Sequence, residues 1–182
     1  MVGQHRALIA EAVSRAKASG RVPAVMLFEP HPREFFQPDE QQFRLTPLTR
    51  KLHLFKELGV KTAFVEPFNA QLAGMTAQEF IERVLVAGLG VAHVVIGYDF
   101  YFGKKRGGNP ELMAHAGEEL GFGVTVMPPV AEAGEVFSSS GVRLHLAQGD
   151  VKGAAHMLGD NWRVSGKVVG GAKRGTGMGF PT

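Results

Sequence analysis

Apolar residues recur every three or four positions along HRALIAEAVSRAKASG. Leu8, Ile9, Ala12, Val13 and Ala16 fall on one stripe and Gly20 closes it, a spacing that predicts a helix. The period then changes. VPAVMLF, residues 22–28, is almost continuously apolar, as a strand covered on both faces is. After a polar loop with Pro30, Pro32 and Pro38, Leu48, Leu52, Phe55 and Leu58 form a second helical stripe. Thr46 is its expected cap, Pro47 its first turn and Gly59 its end. KTAFVEP reads as a strand. TAQEFIERVLVAGLG opens on a capping box, Thr76 to Glu79, and stops at Gly88. AHVVIG is the next strand, and Asn109 and Pro110 start the helix PELMAHAGEELG. GVTVMP is a further strand. Ser140 is the expected cap of GVRLHLAQG, and Asp150 that of VKGAAHMLG.

Strands alternating with helices of ten or more residues imply right-handed crossovers, hence an α/β fold with a parallel sheet and helices on both faces. In such sheets ligands sit beyond the carboxyl ends of the strands, so the loops after the strands are where chemistry is expected. The 182 residues suffice for one domain of ordinary size and part of another. With 45% hydrophobic and 20% charged residues the chain is not of a disordered type. Its formal charge of +3 and pI near 9.3 suit an anionic small ligand and are too weak by themselves to indicate nucleic acid. The absence of cysteine excludes a disulfide scaffold and a thiolate metal site. No apolar run approaches the length of a membrane span, and the cytoplasm is the expected location.

Three post-strand segments carry more than a turn requires. In FEPHPREFF, two prolines stiffen a loop that presents His31, Phe35 and Phe36. This reads either as an aromatic wall for a flat ring with His31 at its polar edge, or as a loop packed on the core. In VVIGYDFYFGKKRGG, residues 94–108, Asp99 can accept from a sugar hydroxyl or an amino group. Lys104, Lys105 and Arg106 can meet phosphates among glycines that admit backbone amides; the alternative is a solvated basic loop. In FSSSGVR, serine hydroxyls, free helix amides and Arg143 can form an anion site, the alternative being an ordinary helix cap. The three agree on phosphate. No G-x-x-x-x-G-K-S/T, H-E-x-x-H or G-x-S-x-G occurs in the chain.

These segments, in this order, resemble the adenylyltransferase module of bacterial bifunctional riboflavin kinase/FMN adenylyltransferases, the prokaryotic FAD synthases. FEPHP is similar to the family's F-x-P-H-P, and VVIGYDFYFGKKRGG to its V-V-G-x-D-F-x-F-G-x-x-R-x-G. FSSSGVR is similar to the S-S-S/T-x-x-R signature of nucleotidylyltransferases, and LAQGDVKGAAHMLG to L-x-x-G-D-V-x-x-A-x-x-L-G. VSGKVVGGAKRGTGMGFPT resembles the opening of the riboflavin kinase barrel, up to the first half of its P-T-A-N motif. The resemblance implies a Rossmann-like fold of the nucleotidylyltransferase type followed by an incomplete β-barrel segment. Residues 1–160 would be the FMN adenylyltransferase domain without its first strand, and 161–182 the truncated beginning of the kinase domain.

The implied reaction transfers AMP from ATP to FMN, giving FAD and pyrophosphate with Mg²⁺; the longer protein would also phosphorylate riboflavin to FMN. The implied catalytic residues are His5, Ser139 and Arg143. Phe28, His31, Phe36, Asp99, Arg106, Ser138, Ser140 and Asp150 would bind ATP and FMN, and Thr182 would help hold the metal. Asp150 also reads as a plain helix cap. The chain departs from the family at its start, where the pattern is a strand and G-x-F-D-G-V-H-x-G-H. Here only VGQHRALI remains, with His5 at the second histidine position and Gln4 in place of a glycine. Impaired turnover is therefore expected of this chain, and a non-catalytic nucleotide- or flavin-binding module is the alternative. Small-molecule substrates are the expected partners, with neither nucleic acid nor membrane.

Overall fold

The structure is a computed structural model that describes residues 3–38, 44–129, 131, 132, 135, 136, 138–164, 166, 167 and 169. Helix α1 (Gly3–Ala18) leads into strand β1 (Ala24–Glu29), the short helix α2 (Pro32–Phe36), α3 (Leu48–Glu57) and β2 (Thr62–Pro67). Then come α4 (Ala70–Gly74) and α5, which starts as Ala77–Glu79 and runs on with π-helical hydrogen bonding over Phe80–Gly88. Strand β3 (His93–Gly97), a 3₁₀ turn (Lys104–Arg106), α6 (Pro110–Leu120) and β4 (Gly123–Met127) follow. A two-residue ribbon, β5 (Ala131–Glu132) with β6 (Glu135–Val136), precedes α7 (Ser139–Ala147) and α8 (Val151–Leu158).

The pairing of the long strands is parallel, as the alternation predicts. β1 lies beside β2 with Met26 opposite Phe64, and β3 beside β4 with Val95 opposite Thr125. The strands do not form one sheet, however. Among the described residues they make two separate pairs, and β1 and β3 each keep one unpaired edge.

Helices cover both faces. Ile9 and Val13 of α1 pack with Phe55 and Val60 against Val25 and Leu27. On the other face Phe80, Ile81 and Leu85 of α5 join Ile96, Met113 and Phe122, with Met26 and Phe28 against them. The alternation along β1 thus sends odd positions to one layer and even positions to the other. A third cluster joins α7 to α8 through Val142, Ala154 and Leu158, with Leu45 and Trp162 at its margin. The Trp162 indole N–H donates to the Leu45 carbonyl at 3.1 Å, which ties this helical hairpin to the segment before α3.

The caps agree with the sequence in part. Thr76 and Glu79 form the reciprocal capping box, and Asn109 and Asp150 cap α6 and α8. Thr46 does not cap α3: Pro47 occupies the cap position, with no side-chain hydrogen bond. Helix α7 is capped by Ser138 and not by Ser140, because the extended residue is Ser138 and its Oγ accepts from Gly141 N at 3.0 Å. Residues 161–164, 166, 167 and 169 belong to no helix or strand. The expected barrel strands beyond them, and Thr182, lie outside the described residues.

Candidate functional site

A single cleft of about 2270 Å³ opens at the carboxyl ends of β1 and β3 and runs back between the two sheets. His5, Phe28, His31, Phe36, Asp99, Arg106, Ser138, Ser139, Ser140 and Arg143 all line it. Through-space interactions tie its sides together. The charge on His5 responds to both Lys51 and Asp99, and that on His31 to both Lys51 and Arg143. The loops after β1 and β3 and the start of α7 therefore face one volume.

The corner around α7 is an anion site in chemical terms. Ser138 caps the helix, Ser139 is half-buried and Ser140 exposed. Arg143, one turn in, donates from Nη1 to the Ser139 carbonyl at 3.3 Å. Its Nε is buried without a hydrogen-bond partner among the described residues. Native proteins rarely leave a buried donor unsatisfied, so such a group calls for an explanation. Desolvation, and then the charge of Arg33, pushes the Arg143 pKa down. A bound anion would relieve both costs.

His31 is set by its backbone. It is the cap of α2, and its Nδ1 accepts the Arg33 N–H at 3.2 Å. The neutral ring must then carry its proton on Nε2, which is left to donate to a ligand. Desolvation leads in lowering the His31 pKa, with Lys51, Arg143 and Arg44 adding to it and Glu34 opposing. His5 is also lowered, by desolvation first, with Lys51 adding to it and Asp99 opposing. The His5 ring is nonetheless accessible to water. An open cleft explains both facts, since its walls crowd the ring without sealing it.

The Gly-rich loop answers a packing demand. Gly103 has φ +73°, and a Cβ there would lie 2.6 Å from Ala77 N. A Cβ on Gly108 would lie 2.7 Å from the Phe102 ring and 2.8 Å from Ala77 Cβ. Lys104 N donates to the Met75 carbonyl at 2.7 Å. These glycines seat the loop on the start of α5, and the expected role of freeing amides for phosphate is not needed to account for them. Lys105 and Arg106 hold φ near +57°, uncommon for residues with side chains. Arg106 lies over the Tyr101 ring, 4.9 Å from its centroid, at the rim.

After β1, Phe35, Phe36 and Phe68 meet edge to face at 5.3–5.8 Å, and Phe28 touches Phe68 at 5.7 Å. Phe28 also reaches Phe80 of the core, whereas Phe36 is 63% exposed. The segment is thus both packing and display. Phe28, Phe35 and Phe68 anchor it, and Phe36 presents a free face. Asp150 is not among the residues lining the cleft. Its Oδ1 accepts from Gly153 N at 2.9 Å and its Oδ2 lies 2.8 Å from His145 Nδ1. The pair closes the turn between α7 and α8.

Two contributors escaped the sequence reading. Lys51 lines the cleft, and desolvation lowers its pKa. It lies three residues after Leu48 and four before Phe55, so the apolar stripe of α3 already gave its direction. Arg44 bridges Glu29 at the end of β1 and Glu34 of α2, which raises the Arg44 pKa above its ordinary value. These three residues fix the His31 turn. No sequence spacing links positions 29, 34 and 44.

A sequence model of the FAD synthetase family matches residues 3–141. The chain is 39% identical over 178 residues to bifunctional riboflavin kinase/FMN adenylyltransferases of Pseudomonas fluorescens and Escherichia coli K12, and 35% identical to that of Bacillus subtilis. Each match takes in 98% of this chain. The chain spans about 57% of the length of these relatives. A crystal structure described as a macrolide-efflux protein from Streptococcus pneumoniae superimposes with a TM-score of 0.82 at 25% identity, over 99% of this chain and 58% of that one. No described helix is long and apolar enough to cross a membrane.

Proposed function

The chain belongs to the FAD synthetase family, and from that premise we propose that it is an FMN adenylyltransferase module working on ATP and FMN. The observation that carries this reading is the buried Nε of Arg143, unpartnered among the described residues, beside three serines at a helix start, in a cleft that also holds Asp99 and His31. In the reaction an FMN phosphate oxygen attacks the α-phosphorus of ATP. A new P–O bond forms, the bond to the β-phosphate breaks, and pyrophosphate leaves. No protein nucleophile is required, so catalysis consists of positioning and neutralisation of charge.

The residues divide by chemistry. Arg143 and the serine N–H groups suit the phosphates, and Nε2–H of neutral His31 donates to an oxygen beside them. Lys51 supplies further positive charge, and neutral His5 offers a ring N–H, from the near wall. Asp99 suits the adenosine, and Phe28 and Phe36 offer apolar surface to the isoalloxazine ring. Arg106 would meet phosphate from the rim, and Asp150 acts at a distance by holding α7 to α8. No group of three His, Asp or Glu side chains among the described residues could cage a metal ion. Mg²⁺ is commonly held by one or two protein oxygens together with substrate phosphates, so the ion would arrive on the nucleotide. A longer protein with this module would also phosphorylate riboflavin, and the cytoplasm is the proposed location.

The test is to incubate the chain with FMN and MgATP and separate FMN from FAD by chromatography. Arg143→Ala should lower FAD formation about 10²–10³-fold, the usual effect of removing one positioned donor. An unchanged rate in that variant would overturn the assignment of the phosphate corner. Nucleotide binding with no FAD from any preparation would favour the binding-module reading.

A further inference from the structure

His31 and Arg143 lie far apart in sequence, yet both line one cleft. Two adjacent residues, Arg44 and Leu45, touch the supports of both. The Arg44 guanidinium donates from Nη1 to the two Glu29 oxygens at 2.9 and 2.6 Å, and from Nε to Glu34 Oε1 at 2.7 Å. Glu29 ends β1 and Glu34 lies in α2, so this fork brackets the turn that carries His31. The Leu45 side chain packs instead against the cluster of Val142, Ala154 and Leu158. Val142 directly precedes Arg143 on α7.

Trp162 holds this junction from behind. Its half-buried ring packs on the same cluster as Leu45, and its N–H donates to the Leu45 carbonyl at 3.1 Å. An indole has one donor and no acceptor, so the bond fixes the peptide group that follows Leu45. The backbone next to Arg44 is thereby set as well. A second tie runs from Arg50 of α3 to Asp160 at 3.5 Å, and Asp160 also meets Arg163 at 3.4 Å. Those ion pairs are partly open to water and such pairs contribute little. The indole bond is the specific link.

We propose that Trp162 is a positioning residue for the site: its bond to Leu45 holds Arg44 on Glu29 and Glu34, and so keeps His31 in register with Arg143. Trp162 is absent from the cleft lining and acts only through these neighbours. Where catalysis is positioning, a displacement of about 1 Å transmitted from a distance costs up to about a hundredfold in rate. For its effect on turnover this inference rests on the FMN adenylyltransferase reading.

The test compares the whole chain with Trp162→Phe, which keeps an aromatic ring on the cluster and removes the donor. FAD formation from FMN and MgATP is followed by chromatography. Both kcat and kcat/KM should fall together, at least about tenfold, as they do when an arrangement needed in the transition state is lost. The second readout needs no turnover. After desolvation, Lys51, Arg143 and Arg44 lower the His31 pKa, and Glu34 opposes them. Withdrawing Arg44 removes one lowering charge and frees Glu34 to act. The His31 midpoint by NMR should therefore rise by at least about 0.3, a twofold change in proton affinity. An unchanged midpoint overturns the proposal, whatever happens to the melting temperature. So do unchanged kcat and KM in an active protein. If the original chain makes no FAD, the binding-module reading is favoured and the His31 midpoint alone decides the role of Trp162. Should Trp162→Phe fail to fold, benzothienylalanine takes the place of this only tryptophan. It keeps the ring shape and replaces N–H by sulfur, and the same outcomes decide.

Discussion

Arg143 shows how one atom can weigh binding against stability. A buried donor without a partner costs about 1–3 kcal/mol, and among the described residues Nε of Arg143 is in that state. Arg143→Met keeps the length and removes the donor. Its expected outcome is ATP binding weakened at least about tenfold by calorimetry, with thermal stability equal or up to about 1 kcal/mol higher. A clear loss of stability would show that the side chain serves packing instead. His31 gives the matching statement in pH. Its folded pKa lies below the ordinary histidine value of about 6.5, through desolvation and then Lys51. A depressed histidine contributes stability that is present above its unfolded pKa and lost as pH falls through the folded one. NMR titration should therefore place the His31 midpoint below 6.5, and adding an anionic nucleotide should move it upward. The residue types at these positions were legible in FEPHP and FSSSGVR. The orphaned atom and the tautomer were not, because both depend on which backbone groups happen to lie nearby.

At the scale of elements, the strongest local signals were those satisfied within four residues. The capping box of α5 is complete: Thr76 Oγ1 accepts from Glu79 N at 3.2 Å, and the Glu79 carboxylate accepts from Thr76 N at 3.0 Å. Thr76→Ala should lower stability by about 1 kcal/mol in chemical denaturation. The same helix start receives the Gly-rich loop, so Gly108→Ala tests whether that glycine serves packing. Its methyl would meet Phe102 and Ala77 Cβ inside 3 Å. Overpacking of this kind costs about 1–3 kcal/mol, and the variant should melt earlier and lose the ring-current shifts of stacked Phe100 and Phe102. A Gly108→Ala protein as stable as the original would return the glycine to a ligand role. Where a cap depends on which of three serines is extended, as in α7, the sequence offers several equal candidates and the tertiary path of the chain selects Ser138.

For the molecule as a whole, the division into two strand pairs has a direct signature. Amides of Val25, Leu27, Val94 and Ile96 point into ladders, and those of Met26, Phe28 and Val95 away from them. Hydrogen exchange should alternate along both strands, with the amides facing away from the ladders at least about tenfold faster, since exchange follows local hydrogen bonding and opening. Uniformly slow exchange along β1 and β3 would mean that the edges are already paired. Low pH acts elsewhere. Backbone hydrogen bonding to Gly153, and then His145, depresses the Asp150 pKa. The α7–α8 turn should hold above the ordinary aspartate range and loosen as pH falls through the lowered value, readable as fluorescence of Trp162 beside it.

The sequence by itself determined the four long strands and the longer helices, the parallel pairing, the family and the three loops that supply the cleft. Periodicity, caps and motif spacing are local properties, and short-range hydrogen bonds and side-chain direction suffice to write them. Tertiary structure alone decided that Arg44 locks Glu29 to Glu34, that Lys51 enters the cleft, and that Asp150 lies away from it. It also decided that the described long strands stand as two separate pairs. Those facts depend on which distant segments meet, and strand adjacency is set by long-range packing that no window of residues contains.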